Sequence, residues 1–339
     1  MVSRPRANHD LIDLALPPMR FSRLLQSILI LTSAVMTAVP AFAAQPKKVL
    51  VVAVTMGFRH ASIPVGERVL EELGEKSGKF SVDFVRQPQG LPPAPARPRP
   101  GPKGASDRAH QEAMKTFAEQ EKQYWRSVQP QFEEALQQLS PSNLRRYDAV
   151  LFLSTSGDLP LPDPKGLVDW VASGKAFIGI HAASDTFHKT GRFAGFPPYT
   201  AMLGGAFQHH GPQVTVDCIK QDPNHPACTP LPSTWTVFDE IYEFKDYDPA
   251  RVHALISLEK HPQTKAPAHN GISWARNHGR GRVFYTSLGH REDIWDPTHK
   301  GDGKGGRKNS PEVSRQYQHH VLGGILWALG LENGEIKHR

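Results

Sequence analysis

The sequence predicts an α/β protein built on a mostly parallel, doubly wound sheet with an added strand-rich excursion. Residues 48–54, 147–153 and 176–180 are continuous apolar runs, a pattern typical of strands that are buried on both faces. Stretches with helical periodicity alternate with these runs, as they do in parallel α/β sheets. A chain of 339 residues with 39% hydrophobic residues is also long enough to bury the core of such a sheet.

The fold is predicted to begin with a strand, a helix and a second strand. Residues 48–54 are apolar and rich in β-branched side chains, residues 65–73 have a helical pattern, and residues 80–85 return to a strand pattern. This order is typical of a βαβ unit.

An insertion at residues 88–140 separates this unit from the third strand. Proline, glycine and arginine dominate residues 88–102, a composition that does not pack regularly and predicts an exposed linker. Residues 105–139 are rich in alanine, glutamate, glutamine and lysine and predict a helix. The sequence assigns this insertion no role.

Residues 147–153 predict the third strand, residues 167–173 a helix that ends at Gly174, and residues 176–180 the next strand. The excursion contains shorter strand-like stretches at residues 213–217 and 235–242, and residues 252–258 and 281–288 predict further strands. Residues 300–308 predict a flexible loop, and residues 313–329 an amphipathic closing helix. The α/β domain is therefore expected to span residues 44–330, followed by a tail at residues 331–339.

Residues 1–43 have the three parts of a secretory signal peptide. Residues 20–23 are positively charged, residues 24–31 form an apolar core, and residues 41–43 form a small-x-small cleavage site. Met19 directly precedes the charged part and suggests an alternative translation start. The apolar core is shorter than the ~20 residues of a spanning helix, so we expect cleavage and a periplasmic or secreted protein. An uncleaved anchor is the alternative.

The composition argues against a nucleic-acid partner. The formal net charge is +7, but the basic residues are scattered and no aromatic side chains alternate with them. The sequence contains two cysteines, Cys218 and Cys228, which bracket a proline-rich loop. In an oxidising compartment this arrangement predicts a disulfide that closes the loop, and two free thiols are the alternative.

Four histidines at predicted strand ends are the first candidates for a functional site. His181 directly follows the strand at residues 176–180, where the ligand crevice of open α/β sheets lies. His60, His210 and His290 also fall at junctions between strands and loops. Such imidazoles can converge to bind a divalent metal such as zinc or to transfer protons, and the spacing does not decide between a metal and no cofactor. For His181 alone, the alternative role is to cap the following helix or to hydrogen-bond a neighbouring loop.

Three acidic residues are candidates for supporting roles. Asp185 follows His181 by four residues and is expected to orient its imidazole, although an acid at a helix N-terminus is equally plausible there. Asp239 and Glu240 precede Tyr242 in a strand-like run. Because side chains alternate along a strand, at most one of these two carboxylates is expected to face a given site.

Several motifs together resemble the trehalose-utilisation (ThuA-like) family, whose flavodoxin-like fold is similar to that of class I glutamine amidotransferases. These motifs are residues 58–60, 179–185, 204–210, 222–226, 239–242 and 281–290. The resemblance extends over about residues 49–330 and implies a role in carbohydrate metabolism. The insertion, the loop at residues 300–308 and the export signal depart from the family pattern, and they bear on the substrate more than on the fold.

The resemblance also implies that glutamine hydrolysis is absent. The nucleophilic cysteine of the amidotransferases follows a glycine and an aliphatic residue at a strand end, where this chain has Gly179, Ile180 and His181. Without a thiol at this position no acyl-thioester can form. We therefore expect no amidotransferase activity.

We expect an exported protein that acts on a sugar or a modified glycoside by hydrolysis or isomerisation, with His181, Asp185 and His290 as catalytic groups. A metal-bound water or a polarised carbonyl would account for the imidazoles. The expected substrate-binding residues are His60, Asp239, Glu240, Tyr242 and Trp274. The alternative is a non-catalytic sugar-binding protein, which a shallow groove lined by Trp235 or Trp274 would favour. The oligomeric state is left open.

Overall fold

The computed structural model describes residues 45–101, 107–190, 192–229, 231–265, 267–301 and 305–337, and the side chains of these except residues 267–270. The predicted signal segment at residues 1–43 lies outside the described residues. Gln45–Arg339 is one compact unit, and it contains both hydrophobic core clusters and the site described below. No helix in the described ranges is both long and apolar enough to cross a membrane.

The secondary structure alternates between strands and helices up to the middle of the chain and is then mainly strands. The strands are β1 Lys47–Ala53, β2 Phe80–Arg86, β3 Ala149–Leu153, β4 Ala176–Ile180, β5 Ala206–His210, β6 Val214–Lys220, β7 Thr234–Asp239, β8 Tyr242–Lys245, β9 His253–Lys260, β10 Pro267–His278 and β11 Gly281–Thr286. The helices are α1 Ile63–Ser77, α2 Arg108–Leu136, α3 Pro141–Leu144, α4 Pro164–Ala172, α5 Pro197–Leu203, α6 Glu292–Trp295 and α7 Pro311–Ala328. Two 3₁₀ turns span Gln137–Leu139 and His181–Asp185.

The main sheet, taken over the described part of the chain, has nine strands in the order β2-β1-β3-β4-β11-β10-β9-β6-β7. The first five strands are parallel, in the arrangement of doubly wound flavodoxin-like sheets, and the remaining pairs are antiparallel. Strands β5 and β8 form a separate antiparallel pair. The predicted α/β class is confirmed, and the strand-rich excursion is the antiparallel half together with this pair.

The sheet is covered on both faces. Val49 and Val51 of β1 belong to a cluster that includes side chains of α1 and α7, whereas Leu50 and Val52 belong to a cluster with side chains of α2, α4 and α5. All four residues are at most 1% exposed, as predicted for a strand buried on both faces. Packing on both faces holds the parallel strands in position. Their carboxyl ends therefore meet at one edge of the sheet.

Among the differences from the predicted secondary structure, two concern the antiparallel strands. The stretch 235–242, predicted as one strand, is divided into β7 and β8 by Glu240 and Ile241. Strand β10 was not predicted, because asparagine, histidine and arginine interrupt its apolar pattern. In antiparallel sheets one face of a strand is commonly buried and the other solvated, so apolar and polar side chains alternate along the strand instead of forming a continuous apolar run.

The predicted disulfide is not formed. Cys218 and Cys228 are free and buried in the same apolar cluster. Cys218 pairs through its backbone with Trp235, and the Cys228 thiol donates to the Leu255 carbonyl at 3.4 Å. Burial raises the pKa of Cys228 to about 12, so this thiol stays protonated and unreactive. Each sulfur has its own packing position in the core, which the spacing in the sequence does not reveal.

Candidate functional site

Three of the four predicted histidines meet at one edge of the sheet because they follow parallel strands. His60 lies in the loop between β1 and α1, His181 directly follows β4, and His290 lies in the loop between β11 and α6. Strands β4 and β11 are hydrogen-bonded neighbours, and β3 separates β4 from β1. The carboxyl ends of these strands therefore place the three loops side by side.

A sharp turn holds the His181 side chain inward. The residue has a φ of +50°, in the left-handed region that side chains other than glycine rarely adopt, and its side chain is fully buried. Its Nδ1–H donates to the Ser287 carbonyl at 2.6 Å, which leaves Nε2 with its lone pair. That Nε2 atom lies 2.9 Å from the Tyr242 hydroxyl and 3.1 Å from His60 Nε2. The backbone carbonyl thus selects the tautomer that can bind a metal.

Glu240 supplies a carboxylate to the same point. It lies in the break between β7 and β8, and its Oε2 atom is 3.1 Å from His290 Nδ1 and 3.8 Å from His181 Nε2. Its Oε1 atom is 3.0 Å from His210 Nδ1. One carboxylate therefore contacts three imidazoles.

Asp239 supports the site from behind. Its carboxylate accepts hydrogen bonds from the backbone N–H of Gly289 at 2.7 Å and of Glu240 at 2.9 Å. The side chain is fully buried. Asp239 thus ties the end of β7 to the loop of His290, and only Glu240 of this acidic pair faces the imidazoles, as the alternation predicts.

His60, His181, Glu240 and His290 form a group that could hold a metal ion, which we call the His–Glu group. Each offers one ligand atom, and these atoms all lie within 4.8 Å of one another. In tetrahedral zinc sites, bonds of about 2.0 Å place neighbouring ligand atoms about 3.3 Å apart. The pairs His60–His181 and Glu240–His290 lie at 3.1 Å, and Glu240 and His181 lie at 3.8 Å. Three imidazoles and a carboxylate also match the ligand types of zinc.

Unsatisfied nitrogens in the His–Glu group provide a test of this fit. The Nδ1 atoms of His60 and His290 are buried and have no hydrogen-bond partner, although His290 Nδ1 lies near Glu240. An unpaired buried polar atom costs about 1–3 kcal/mol, so such atoms usually have a functional reason. A metal ion at the point of convergence would satisfy His290 Nδ1 but not His60 Nδ1, because the His60 nitrogen that faces His181 is Nε2. The residues present fit the ion through their ligand types and the convergence of their ligand atoms.

The electrostatics keep two of the imidazoles neutral. Burial, reinforced by the nearby His290 and His210, lowers the pKa of His60 to about 3. Burial and then the neighbouring His60 lower the pKa of His181 well below its ordinary value. Neutral imidazole is the form that binds metals.

The other groups are shifted in the opposite direction. Burial lowers the pKa of His290, but Glu240 and Asp239 outweigh this effect and the net pKa is raised. Burial raises the pKa of Asp239 to about 6 against the lowering effects of His290 and the backbone amides. Burial, followed by the charge of Glu240, raises the pKa of Tyr242, so its hydroxyl keeps its proton.

A family model described as trehalose utilisation (ThuA) matches residues 102–300, which include His181, Glu240 and His290. The chain belongs to the trehalose utilisation family. A ThuA-like protein from Parabacteroides merdae has a solved structure that is 19% identical with a TM-score of 0.54, over 84% of this chain and 90% of that one. For a ThuA-like protein from Bacteroides uniformis the identity is 17% and the TM-score 0.47, over 85% and 94%. A search of curated proteins found no match.

Two predicted residues of this ThuA-family chain have other partners than expected. Asp185 lies 2.9 Å from His188 Nδ1 and does not contact His181. The reason is that residues 181–185 form a 3₁₀ turn, in which residues three apart, not four apart, lie on one side. The His210 side chain is 42% exposed and contacts Glu240. The fourth member of the His–Glu group is Glu240, not His210 as predicted.

The predicted tryptophan does not line the site. Trp274 is fully buried, and its indole N–H donates to the Leu203 carbonyl at 2.7 Å. Its ring packs on Tyr285 with the ring centres 4.4 Å apart. Trp235 is also buried. Both side chains are core residues, so neither lines a shallow groove of the kind that would favour the non-catalytic sugar-binding alternative.

The sequence analysis missed two contributors to the site. Ser287 acts through its backbone carbonyl, which no side-chain pattern can indicate. Phe58 lies beside His60 with the ring centres 4.8 Å apart, and its position two residues before a candidate histidine was the signal available.

Proposed function

We propose that this ThuA-family protein is an exported, divalent-metal-dependent enzyme that acts on a sugar or a modified glycoside. The observation that carries the proposal is the His–Glu group, in which three buried or largely buried imidazoles and one carboxylate converge within 4.8 Å. Membership of the trehalose utilisation family supports a carbohydrate-related role. A metal centre gives that role a chemical basis.

In this proposal His60, His181, Glu240 and His290 hold the metal, and zinc suits their ligand types. When bound, such an ion lowers the pKa of a water molecule or polarises a sugar carbonyl. Ser287 fixes the orientation of His181, and Asp239 fixes the loop that carries His290. The protonated Tyr242 hydroxyl and the exposed His210 are the groups available for sugar hydroxyls.

The arrangement favours metal-assisted chemistry over glycoside cleavage by two carboxylates. That mechanism needs two carboxyl groups about 5–9.5 Å apart that flank one bond. In the described part of the site Glu240 faces the imidazoles, whereas Asp239 binds backbone amides and Asp185 binds His188. Proton transfer would therefore rest on imidazoles, as in a metal-assisted hydrolase or isomerase.

The first test is the metal content of residues 44–339, prepared without chelator and without a histidine tag. We expect nearly one metal ion per chain in the wild type and in the control His319→Ala, whose imidazole is exposed on α7. We expect its loss in His181→Ala, because His181 Nε2 lies at the centre of the group. Metal-free wild-type protein would overturn the metal assignment.

The second test is turnover of the metal-loaded protein with trehalose and with other glucosides, followed by product analysis. Turnover that disappears in His181→Ala supports the enzyme. Tight binding of trehalose without turnover would instead favour the non-catalytic sugar-binding protein. With glutamine we expect no release of ammonia, since the position after β4 is His181 and both cysteines are buried elsewhere.

A further inference from the structure

Phe58 is exposed beside the His–Glu group. Its side chain is 66% exposed, and Leu331, at 40%, is the other large hydrophobic side chain that is exposed in the described ranges. A single exposed apolar residue is ordinary on a protein surface, so its exposure alone has no meaning. What distinguishes Phe58 is its location and the way its backbone is held.

The location links Phe58 directly to the His–Glu group. Its ring meets the His60 ring edge-on, with the ring centres 4.8 Å apart and the planes at 77°. His60 in turn lies 4.6 Å from His181 between ring centres. A molecule that contacts a metal on this group and extends toward solvent would therefore pass beside Phe58.

The backbone around Phe58 is fixed, so that the ring is held outward. The Ser156 hydroxyl donates to the Phe58 carbonyl at 2.8 Å, and the Ser156 carbonyl accepts from the N–H of Met56 at 2.8 Å. On the other side, the Arg59 side chain donates to the Ala53 carbonyl at 2.7 Å. Gly57 leaves little room, because a Cβ there would lie 2.9 Å from the Ser156 hydroxyl. The loop is therefore anchored on the end of β1 and on the loop that follows β3, while the ring faces solvent.

We propose that Phe58 is a stacking platform for a sugar ring of the substrate. A pyranose ring has an apolar face of C–H groups that a flat aromatic ring can cover, and its hydroxyls point outward to polar partners such as His210 and Tyr242. An open-chain polyol has the same hydroxyls but no rigid apolar face. The inference deepens the proposed function and rests on it.

The test compares the binding of trehalose and of the open-chain polyol sorbitol by calorimetry on residues 44–339. We expect the wild type to bind trehalose and to discriminate against sorbitol. Phe58→Ala should weaken trehalose binding about tenfold, which corresponds to one lost aromatic contact and its buried area. Phe58→Trp should bind within a few-fold of the wild type, because it keeps an aromatic face. The control Leu331→Ala should change nothing, and metal content should be equal in all four proteins.

The possible outcomes separate this inference from the proposed function. Metal-free wild-type protein overturns the metal centre, while the trehalose titration still decides whether Phe58 is a platform. If the protein holds metal but Phe58→Ala binds trehalose as the wild type does, or if the wild type binds sorbitol equally well, the platform is wrong. If Phe58→Ala instead converts a dimer into a monomer without changing trehalose affinity, then Phe58 lies in an interface with a second copy of the chain. This outcome would also overturn the assignment of Phe58 as a stacking platform.

Discussion

At the scale of single residues, Glu240 determines the electrostatics of the site. It is the carboxylate within 4 Å of three imidazoles, those of His181, His210 and His290. Burial alone would lower the pKa of His290, and the acidic neighbours Glu240 and Asp239 reverse this effect. One side chain thus provides both a candidate metal ligand and a charge that raises the pKa of His290.

We predict that Glu240→Gln weakens metal binding by at least about a hundredfold, because the loss of a ligand costs more than the 10–100-fold typical of its supporting groups. In the metal-free variant the pKa of His290 should fall relative to the wild type, because a contact that favours protonated imidazole is gone. Competition with a chelator measures the first effect, and histidine NMR titration the second. Glu259→Gln, an exposed site on β9, is the matched control. Unchanged metal affinity would remove Glu240 from the ligand group.

At the scale of elements, the insertion is part of the structure and also reaches the site. The C-terminal half of α2 buries Val128, Phe132 and Leu136 in the core. Its middle holds Arg192, which contacts Glu121 at 2.8 Å and the Trp125 ring at 4.9 Å. Arg192 also donates to the Met56 carbonyl at 3.0 Å, in the loop that carries Phe58 and His60. Through Arg192, the helix therefore supports the loop that carries His60.

For α2, we predict that Phe132→Ala lowers the free energy of unfolding by about 3–5 kcal/mol, because it leaves a cavity at a fully buried position. Glu134→Ala, an exposed site on the same helix, should change it by less than about 0.5 kcal/mol. Urea unfolding measures both variants. A loss below about 1 kcal/mol for Phe132→Ala would mean that the insertion is not packed into the core as the structure has it.

At the scale of the whole molecule, buried histidines make stability depend on pH. Burial is the main cause that lowers the pKa of His60 and of His225 to about 3 and the pKa of His320 to about 4. It also lowers the pKa of His181. In the unfolded chain these groups bind protons below pH about 6.5. Acidification therefore favours the unfolded chain. The raised pKa values of Asp239 and His290 act in the opposite direction, since the folded protein protonates these groups first.

We predict that the metal-free protein loses stability as the pH falls from about 6.5 to about 4, with a slope of about 1.4 kcal/mol per pH unit for each histidine that stays neutral in the fold. His320→Gln should flatten this slope by about one histidine, because the amide keeps a donor for the Ala227 carbonyl but does not titrate. The exposed His319→Gln should leave the slope unchanged. Urea unfolding across this pH range measures all three proteins. Equal slopes for wild type and His320→Gln would show that His320 titrates normally.

The sequence by itself determined the α/β class, the strands β1, β3, β4 and β11, and the three histidines of the site that follow strands. These followed because a strand buried on both faces must be apolar along its length, and because parallel strands present their ends at one edge. The family resemblance is confirmed by the family model over residues 102–300, and three of its motifs, residues 58–60, 179–185 and 281–290, lie at or just after the ends of β1, β4 and β11.

The tertiary structure alone decided which groups complete the site. Glu240 contacts the histidines because the strand pattern is interrupted between β7 and β8. Asp185 contacts His188 because residues 181–185 form a 3₁₀ turn and not an α-helix. Trp274 and the two cysteines are in the core, and the sequence spacing does not encode which neighbours cover them. Strand ends follow from local periodicity, but ligand partners depend on contacts between residues far apart in the chain, such as Glu240 with His290 or His181 with Ser287. These contacts are fixed only when the whole sheet is assembled.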